Sequence, residues 1–196
     1  MSNWSLKLNS NKAELRRELL AERRMINSAS RQQAAEQAAQ ILVTTEIFQS
    51  SQRIGCYLAT ENEFDCLPII KKIWAAKKNC YLPRLISGGE PLLEFVEYQE
   101  NALLQPNRYK ILEPVEKENI PLNKLDLVIA PLVGFDLKGH RLGMGGGYYD
   151  WTFAAKTCCL LGLAYEVQQV AELPDEQWDV MLDGIITEKG VTLFKK

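Results

Sequence analysis

The sequence predicts an α/β fold in which a central, mostly parallel sheet is flanked by helices on both faces, giving three layers. The apolar runs RIGCYLA, DLVIAP and CCLLGLAY do not alternate with polar residues, as expected for strands buried on both faces. Segments with helical periodicity separate these runs. The 196 residues, 46% of them hydrophobic, suit one globular unit. We therefore expect residues 1–196 to form a single domain, with residues 1–10 as a loose tail.

Two helices are predicted at the start of the chain. Asn11 and Glu14 have the spacing of a capping box, which predicts a first helix that ends at about Ile26. Ser30 repeats the capping signal, and an alanine-rich helix is predicted from there to about Val43.

The later elements are predicted from apolar runs and from glycine and proline signals. Pro68 suits the first turn of a helix that continues through IIKKIWAAKK, and another helix is expected to begin near Tyr148. Residues 99–124 are predicted as loops and short pieces. The predicted strands are, in chain order, residues 53–59, 79–83, 92–98, 126–131 and 158–165, followed by short strands in DGIITEKG and VTLF.

Composition excludes several functional classes. The formal net charge of −2 offers no basic field for duplex nucleic acid, and no apolar run is long enough to span a bilayer. The first residues, MSNWSLKLNSNK, lack the apolar core of a secretory signal, so we expect a cytoplasmic protein. The five cysteines form no CxxC pair, and we interpret them as reduced, mostly buried thiols.

One stretch, RLGMGGGYYD at residues 141–150, contains four glycines in ten residues. It follows the predicted strand DLVIAP on the side where open α/β sheets bind ligands. Glycines adopt backbone conformations that other residues avoid and let amide groups approach a ligand closely. A helix that begins near Tyr148 would add unpaired amide groups and the positive end of its dipole. The stretch therefore predicts a phosphate-binding site.

The other residues of this stretch fit the same interpretation. Arg141 carries a donor fork suited to phosphate, and Asp150 could hold a magnesium ion that bridges phosphates. The rings of Tyr148 and Tyr149 could stack on a flat organic substrate. The spacing matches neither the P-loop nor the dinucleotide motif. A glycine-rich turn with both tyrosines packed into the core therefore remains an alternative.

The first predicted helix carries a row of basic residues. At 100° per residue, Lys12, Arg16 and Arg23 fall in one narrow stripe beside the apolar positions Leu15 and Leu19. A basic row at the edge of a core is where a phosphate clamp would lie. The alternative is that these side chains cover apolar surface with their stems and keep their charges in water.

An acidic loop, TENEFD, follows the strand RIGCYLA directly. If this loop is extended, Glu61, Glu63 and Asp65 project to one side at the carboxyl end of that strand. A carboxylate there could recognise donor groups on a heterocycle, although a solvated acidic surface is an equally simple interpretation. His140, the one histidine, lies in a polar turn, and we predict a surface residue without a partner.

The segment PLVGFDLKGHRLGMGGGYYD resembles the signature of the 5-formyltetrahydrofolate cyclo-ligase family. YLATENEFD, YLPR, ILEP and LPDEQWDVMLDGIITEKG resemble its other segments in the same order, so the resemblance covers nearly the whole chain. It implies an α/β enzyme that uses ATP and Mg²⁺ to close 5-formyltetrahydrofolate into 5,10-methenyltetrahydrofolate. In the implied mechanism the formyl oxygen takes the γ-phosphoryl group and ADP is released. The nitrogen at position 10 then attacks the activated carbon, and phosphate leaves.

The resemblance also implies site residues, with Arg141 as the catalytic cation and Asp150 and Asp183 as metal positions. The implied ATP contacts are Lys12, Arg16, Arg141, Leu142, Gly143, Met144, Gly145, Gly146, Gly147, Tyr148 and Tyr149. The implied folate contacts are Leu58, Glu63, Tyr109, Met144, Gly145, Gly146, Gly147 and Tyr148. Some members of the family carry lysine in the middle of the final glycine triplet, where this chain has glycine. A positive charge near the transferred group must then come from the basic residues already named or from the metal.

The expected partners are therefore small molecules, ATP and 5-formyltetrahydrofolate, with no nucleic acid and no membrane, and we expect a monomer. Two other classes remain open on the residues alone. One is a different enzyme on a similar scaffold, such as a sugar-phosphate isomerase or an acyl-CoA transferase, which ATP dependence would distinguish. The other is a non-enzymatic module that senses nucleotide or folate, which would bind without turnover.

Overall fold

The computed structural model describes residues 12–60, 62–115 and 118–194. The predicted tail at residues 1–10 and the predicted cap Asn11 lie outside the described residues. The described chain forms the α-helices α1 (Lys12–Arg24), α2 (Ser28–Val43), α3 (Glu46–Ser50), α4 (Leu67–Ala75) and α5 (Tyr148–Thr152). Two single turns of 3₁₀ helix cover Leu122–Lys124 and Glu166–Gln168.

The strands of the described chain fall into three sheets. Their bounds are β1 (Arg53–Gly55), β2 (Asn79–Leu85), β3 (Leu93–Glu97), β4 (Leu104–Pro106), β5 (Leu112–Pro114), β6 (Asn119–Ile120), β7 (Leu127–Pro131), β8 (Gly134–Phe135), β9 (Arg141–Leu142), β10 (Cys159–Leu163), β11 (Gly184–Thr187) and β12 (Gly190–Leu193). Strands β4 and β5 form one two-stranded sheet, and β8 and β9 form another.

Within the described residues, the main sheet has eight strands in the order β12-β11-β10-β7-β1-β2-β3-β6. The five central strands, from β11 to β2, are parallel, whereas β12, β3 and β6 join antiparallel at the edges. The predicted mostly parallel sheet is confirmed. Because parallel strands share a direction, β1, β7 and β10 all end at the same edge, where the loops that carry polar residues begin.

Two apolar layers cover the sheet. Helices α2 and α4 pack on one face, where Leu42 and Ile70 meet Ile129 of β7. The short helix α5 and irregular segments cover the opposite face around Phe95 and Val128. The predicted three-layer arrangement is confirmed, with α2 and α4 on one face and the short α5 on the other. No helix among the described ranges is both long enough and apolar enough to cross a membrane.

Some boundaries differ from the sequence predictions. Helix α2 is capped by Asn27, whose side-chain oxygen accepts a hydrogen bond from the amide of Ser30 at 2.9 Å. The predicted cap at Ser30 is therefore wrong, because the helix already begins at Ser28 and Ser30 lies within its first turn. Helix α3 was not predicted, since its five residues are too few to show a period.

Asp126 ties the amino-terminal ends of β1 and β7 together. Its Oδ2 accepts hydrogen bonds from the amides of Gln52 and Arg53, and its Oδ1 lies 2.8 Å from Arg53 Nη2. The hydrogen bond from the Arg53 guanidinium lowers the pKa of Asp126 below its ordinary value. A lowered pKa in the folded state stabilises the fold above the unfolded pKa, and this stabilisation is lost as the pH falls through the folded pKa.

We therefore predict that Asp126→Asn lowers the midpoint of thermal unfolding by about 3 °C near neutral pH. The difference between variant and parent should shrink towards zero as the pH falls through the lowered folded pKa of Asp126, because the parent carboxyl is then protonated too. Thermal melts of both proteins from neutral to acid pH measure this difference in midpoint. A difference that stays constant down to the lowest pH would contradict the prediction.

Candidate active site

A rigid hairpin presents the glycine stretch at the carboxyl edge of the sheet. Strands β8 and β9 follow the end of β7, and the turn between them is built around the fully buried Asp136. The carboxylate of Asp136 accepts hydrogen bonds from the amides of Lys138, His140 and Leu173. Its Oδ2 also lies 2.8 Å from His140 Nδ1, so the prediction of a histidine without a partner is wrong. The turn directly precedes Arg141.

The glycine stretch itself requires glycine at two positions. Gly145 has a φ of 95° and Gly147 a φ of 70°, in the left-handed region that residues with a Cβ rarely adopt. Gly147 is also the cap of α5. Helix α5 has only five residues, so its dipole is small, and the predicted dipole contribution at Tyr148 is reduced accordingly. The backbone of the loop and the side chains around it are the larger features of the site.

Two guanidinium groups flank this loop. Arg16 of α1 donates a hydrogen bond from Nε to the carbonyl oxygen of Gly143 at 2.7 Å. A Cβ placed on Gly145 would lie 3.6 Å from Arg16 Cζ. A Cβ on Gly143 would lie 3.8 Å from Arg141 Nη1. A cation from the first helix and a cation from β9 therefore both lie close to the loop.

The basic row of α1 divides into two parts. Lys12 Nζ forms an ion pair with Asp179 Oδ2 at 2.5 Å, and with Arg16 it faces the segments around the glycine loop. Arg23 is 3% exposed and donates from Nη1 to the carbonyl oxygen of Leu132 at 3.2 Å. The row therefore does not simply cover apolar surface with its charges in water. Lys12 and Arg16 contact the segments around the glycine loop, whereas Arg23 is part of the interior.

Arg141 and Asp150 form an ion pair in the middle of the site. Arg141 Nη2 lies 2.7 Å from Asp150 Oδ1, and the two side chains are 5% and 17% exposed. Asp150 Oδ1 also accepts a hydrogen bond from the amide of Val180 at 3.0 Å. Both of these contacts use Oδ1. The two groups predicted to meet phosphate and magnesium are therefore already held beside each other.

The two tyrosines of the stretch have different environments. Tyr149 stacks on Phe153, with Arg141 Cζ at 5.8 Å from its ring centroid, and its buried hydroxyl has no hydrogen-bond partner among the described residues. Burial raises the pKa of Tyr149. Tyr148 instead turns its hydroxyl towards Tyr109, whose hydroxyl lies 3.1 Å away. The alternative of core packing therefore describes Tyr149 best, whereas Tyr148 packs only partly against the core and contacts the exposed Tyr109.

The remaining residues of the stretch differ in how accessible they are. Leu142 is buried with Leu15 and Leu19, so only its backbone is placed to meet a ligand. Met144 is exposed, as are the two glycines that follow it. The ligand-facing part of the loop is therefore backbone, with the flexible side chain of Met144 at its rim.

The acidic loop is a turn, so the condition under which its carboxylates would project to one side is not met. Asn62 has a φ of 68°, and Glu63 bonds back to Thr60 through both its amide and its carboxylate. Asp65 caps the start of α4 by accepting a hydrogen bond from the amide of Leu67, and Glu61 lies outside the described residues. Glu63 is the half-buried acidic side chain of this turn within the described part of the chain.

Glu63 lies near the glycine stretch. Burial raises the pKa of Tyr149, and the negative charge of Glu63 adds to that increase. The same charge raises the pKa of Arg23 against the lowering caused by burial. The half-buried Leu58 precedes this loop and packs against the core face that α2 covers. A carboxylate that acts electrostatically on Tyr149 and a half-buried apolar side chain therefore follow β1 in the chain.

The two predicted metal positions do not share their partners. Asp183 forms an ion pair with Lys156 at 2.8 Å and accepts a hydrogen bond from the amide of Leu160, whereas Asp150 contacts Arg141 and Val180. Among the described residues, no three side chains of His, Cys, Asp or Glu come together as a metal site. Mg²⁺ is commonly held by one or two carboxylates together with substrate phosphates, which fits Asp150 beside the cationic loop.

Sequence reasoning missed two residues of this region. Asp179 pairs with Lys12 across 167 positions in the chain, and Arg108 donates a hydrogen bond to the hydroxyl of Tyr148. No local pattern marks either residue, because their partners are distant in sequence. The resemblance to the closing segment that includes Asp179 was a signal that this segment belongs to the site.

Comparison with known proteins gives consistent results. The model of the 5-formyltetrahydrofolate cyclo-ligase family matches residues 8–188. A curated protein of Haemophilus influenzae with the name 5-formyltetrahydrofolate cyclo-ligase is 35% identical over 178 residues, covering 88% of this chain and 95% of that protein. The Escherichia coli K12 protein of the same name is 37% identical over 175 residues, covering 86% and 96%. The solved structure of Aquifex aeolicus 5,10-methenyltetrahydrofolate synthetase superimposes with a TM-score of 0.83 at 30% identity, covering 94% of this chain and 93% of that one.

Proposed function

The chain belongs to the 5-formyltetrahydrofolate cyclo-ligase family and is an enzyme that converts 5-formyltetrahydrofolate to 5,10-methenyltetrahydrofolate, and we propose that it does so with ATP and Mg²⁺ at the glycine stretch. ATP activates the formyl group, and the products besides the folate are ADP and phosphate. Because the chain belongs to this family, a ligase is favoured over an isomerase, a transferase or a non-enzymatic binding module.

The observation that carries the proposal is the convergence of cations on the glycine loop. Arg16 bonds to Gly143 and lies against Gly145, and Arg141 also lies close to Gly143. Fixed cations and backbone amides around a triphosphate stabilise the charge that develops during phosphoryl transfer. Lys12 adds a third cation when it exchanges its partner Asp179 for phosphate. Residues 142–149 contribute mainly through their backbone.

The folate is proposed to lie between this loop and the β1 side of the site. Glu63 accepts hydrogen bonds from the amino and ring N–H groups of the pterin, which are donors. Leu58 packs on the apolar part of the ligand, and the exposed ring of Tyr109 and the half-buried ring of Tyr148 contact its flat surfaces. Met144 lies at the boundary between nucleotide and folate.

Asp150 is proposed as the residue that holds Mg²⁺, together with oxygens of the nucleotide. The ion supplies charge neutralisation of the phosphates during transfer. Asp150 suits this role because the contacts with Arg141 and with the amide of Val180 both use Oδ1, and Oδ2 is the oxygen proposed to bind the ion. Asp183 remains a second proposed position, although it is held by Lys156 and Leu160 in this structure.

The reaction itself needs no nucleophile from the protein. The formyl oxygen bonds to the γ-phosphorus as the bond to ADP breaks, and Arg141 and Arg16 balance the charge on the transferred group. The nitrogen at position 10 of the same folate then bonds to the activated carbon, loses its proton, and phosphate leaves with the former formyl oxygen. The protein contributes position and electrostatics, which agrees with the absence of a Ser-His-Asp or Cys-His arrangement in the sequence.

A single absorbance assay tests the proposed function. Purified protein with 5-formyltetrahydrofolate, ATP and Mg²⁺ should produce the near-ultraviolet absorbance of the methenyl product, with ADP formed in equal amount. Omission of ATP, or chelation of Mg²⁺, should abolish the signal. Product without ATP would contradict the phosphoryl-transfer mechanism. A folded protein that forms no product under any of these conditions would contradict the conclusion that the chain is an active enzyme.

A further inference from the structure

The hairpin of β4 and β5 carries an ordered tip at residues 107–111. The side-chain oxygen of Asn107 accepts hydrogen bonds from the amides of Tyr109 at 2.8 Å and Ile111 at 3.1 Å. Lys110 has a φ of 63°, and its amide donates to the carbonyl oxygen of Asn107. One asparagine therefore sets the conformation of the whole tip.

Glu113 of β5 fastens this tip to the main sheet. Glu113 is 7% exposed, and its Oε1 accepts hydrogen bonds from Asn107 Nδ2 at 2.7 Å and from the amide of Leu85 at 2.9 Å. Leu85 is the last residue of β2. A buried carboxylate is costly to remove from water unless it makes such bonds, and bonds to a charged acceptor are stronger than neutral ones. Glu113 thus links the end of β2 to Asn107.

The tip in turn contacts the glycine stretch. Tyr109 and Tyr148 have their hydroxyls 3.1 Å apart and their rings edge to face, with centroids separated by 6.2 Å. Arg108 donates a hydrogen bond to the same hydroxyl of Tyr148 and lies over the ring of Tyr109. A continuous chain of contacts therefore runs from Leu85 through Glu113, Asn107 and Tyr109 to Tyr148.

We propose that Glu113 is a positioning residue for the reaction, acting through Asn107 to hold Tyr109 against Tyr148 and so to set the folate side of the site. This inference rests on the proposed function, in which both tyrosines contact the folate. Strands β4 and β5 form a two-stranded sheet apart from the main one. Such a sheet is marginally stable by itself, so its orientation depends on anchors of this kind.

The experiment is a double-mutant cycle of Glu113→Leu and Tyr109→Ala. Each single variant should raise the KM for 5-formyltetrahydrofolate about tenfold, since the bonds or the ring that place the tip are lost. The KM for ATP should change by less than about twofold, because the triphosphate contacts lie elsewhere. The folate KM of the double variant should be no higher than that of the poorer single variant, since both changes disable the same hairpin tip.

Two further variants distinguish positioning from stability. Glu113→Gln retains a neutral acceptor for both bonds, so its folate KM should be close to that of the parent. Glu100→Leu, at an exposed loop position before β4, should leave both KM values unchanged. If Glu113→Leu fails to fold, Asn107→Ala takes its place in the cycle. Thermal melts of all variants show which proteins are folded.

If the fold-increases in folate KM of the two single variants multiply in the double variant, the inference is overturned. A folded Glu113→Leu protein whose folate KM is unchanged would also overturn it. An equal rise in the KM for folate and in the KM for ATP would also overturn the inference, because that result indicates general disruption of the fold. Failure of the proposed function is a separate result: the parent protein would then form no methenyl product at all.

Discussion

Replacing Arg141 by alanine should lower kcat for ring closure by about 10³-fold while the protein remains folded. Arg141 is held between Tyr149 and Asp150 at the loop where the triphosphate is proposed to bind. Its charge would stabilise the transferred phosphoryl group more strongly in the transition state than in the ground state, so the loss should appear mainly in kcat. Steady-state rates from the absorbance assay provide the measurement.

Two control variants accompany this experiment. Arg141→Lys retains a charge but loses the planar donor fork, and we expect an intermediate rate. Arg17→Ala removes an exposed arginine from α1, one position after Arg16, and should leave turnover unchanged. A folded Arg141→Ala protein with parental turnover would show that the phosphate clamp lies elsewhere.

Replacing Asp150 by asparagine should lower turnover about 100-fold at low Mg²⁺ and raise the Mg²⁺ concentration needed for half-maximal rate. The amide keeps the shape of the side chain but lacks the negative charge that attracts the ion. The change also removes the charge partner of Arg141, so the KM for ATP should be measured at saturating Mg²⁺ in parallel. Rates across a Mg²⁺ titration give the result.

The comparison with Asp183→Asn separates the two proposed metal positions. Asp183 is bound to Lys156 and the amide of Leu160, so this change should lower thermal stability and leave the Mg²⁺ dependence close to that of the parent. The opposite pattern, with the Mg²⁺ dependence altered by Asp183→Asn and not by Asp150→Asn, would move the metal position to Asp183.

The fold could be predicted because buried parallel strands leave a strong local signal. The runs DLVIAP and CCLLGLAY became β7 and β10, which pair in parallel at the centre of the sheet. Short elements and caps were harder, since Asn27, Ser28 and Ser30 are all residue types that favour the cap position. Asn27 performs that function in place of Ser30. Closed turns were also missed, and Asn62 makes the acidic loop a turn by adopting a positive φ.

The site was predictable where its residues are neighbours in sequence. Arg141 and Asp150 are nine positions apart in the glycine stretch, so their closeness in space could be expected from the sequence. The pairing of Lys12 with Asp179 and the contact of Tyr109 with Tyr148 depend on how the whole chain folds. No period or spacing encodes such contacts. The resemblance named Tyr109 but not the hairpin that holds it.

The central claim is that the glycine loop beside Arg16 and Arg141 holds the triphosphate. A crystal structure with Mg²⁺ and a non-hydrolysable ATP analogue tests it most directly. The account predicts phosphate oxygens bonded to backbone amides of residues 143–147 and to both arginines, with the ion beside Asp150. A triphosphate bound elsewhere, with the Arg141–Asp150 pair intact and the glycine loop not in contact with it, would contradict the account.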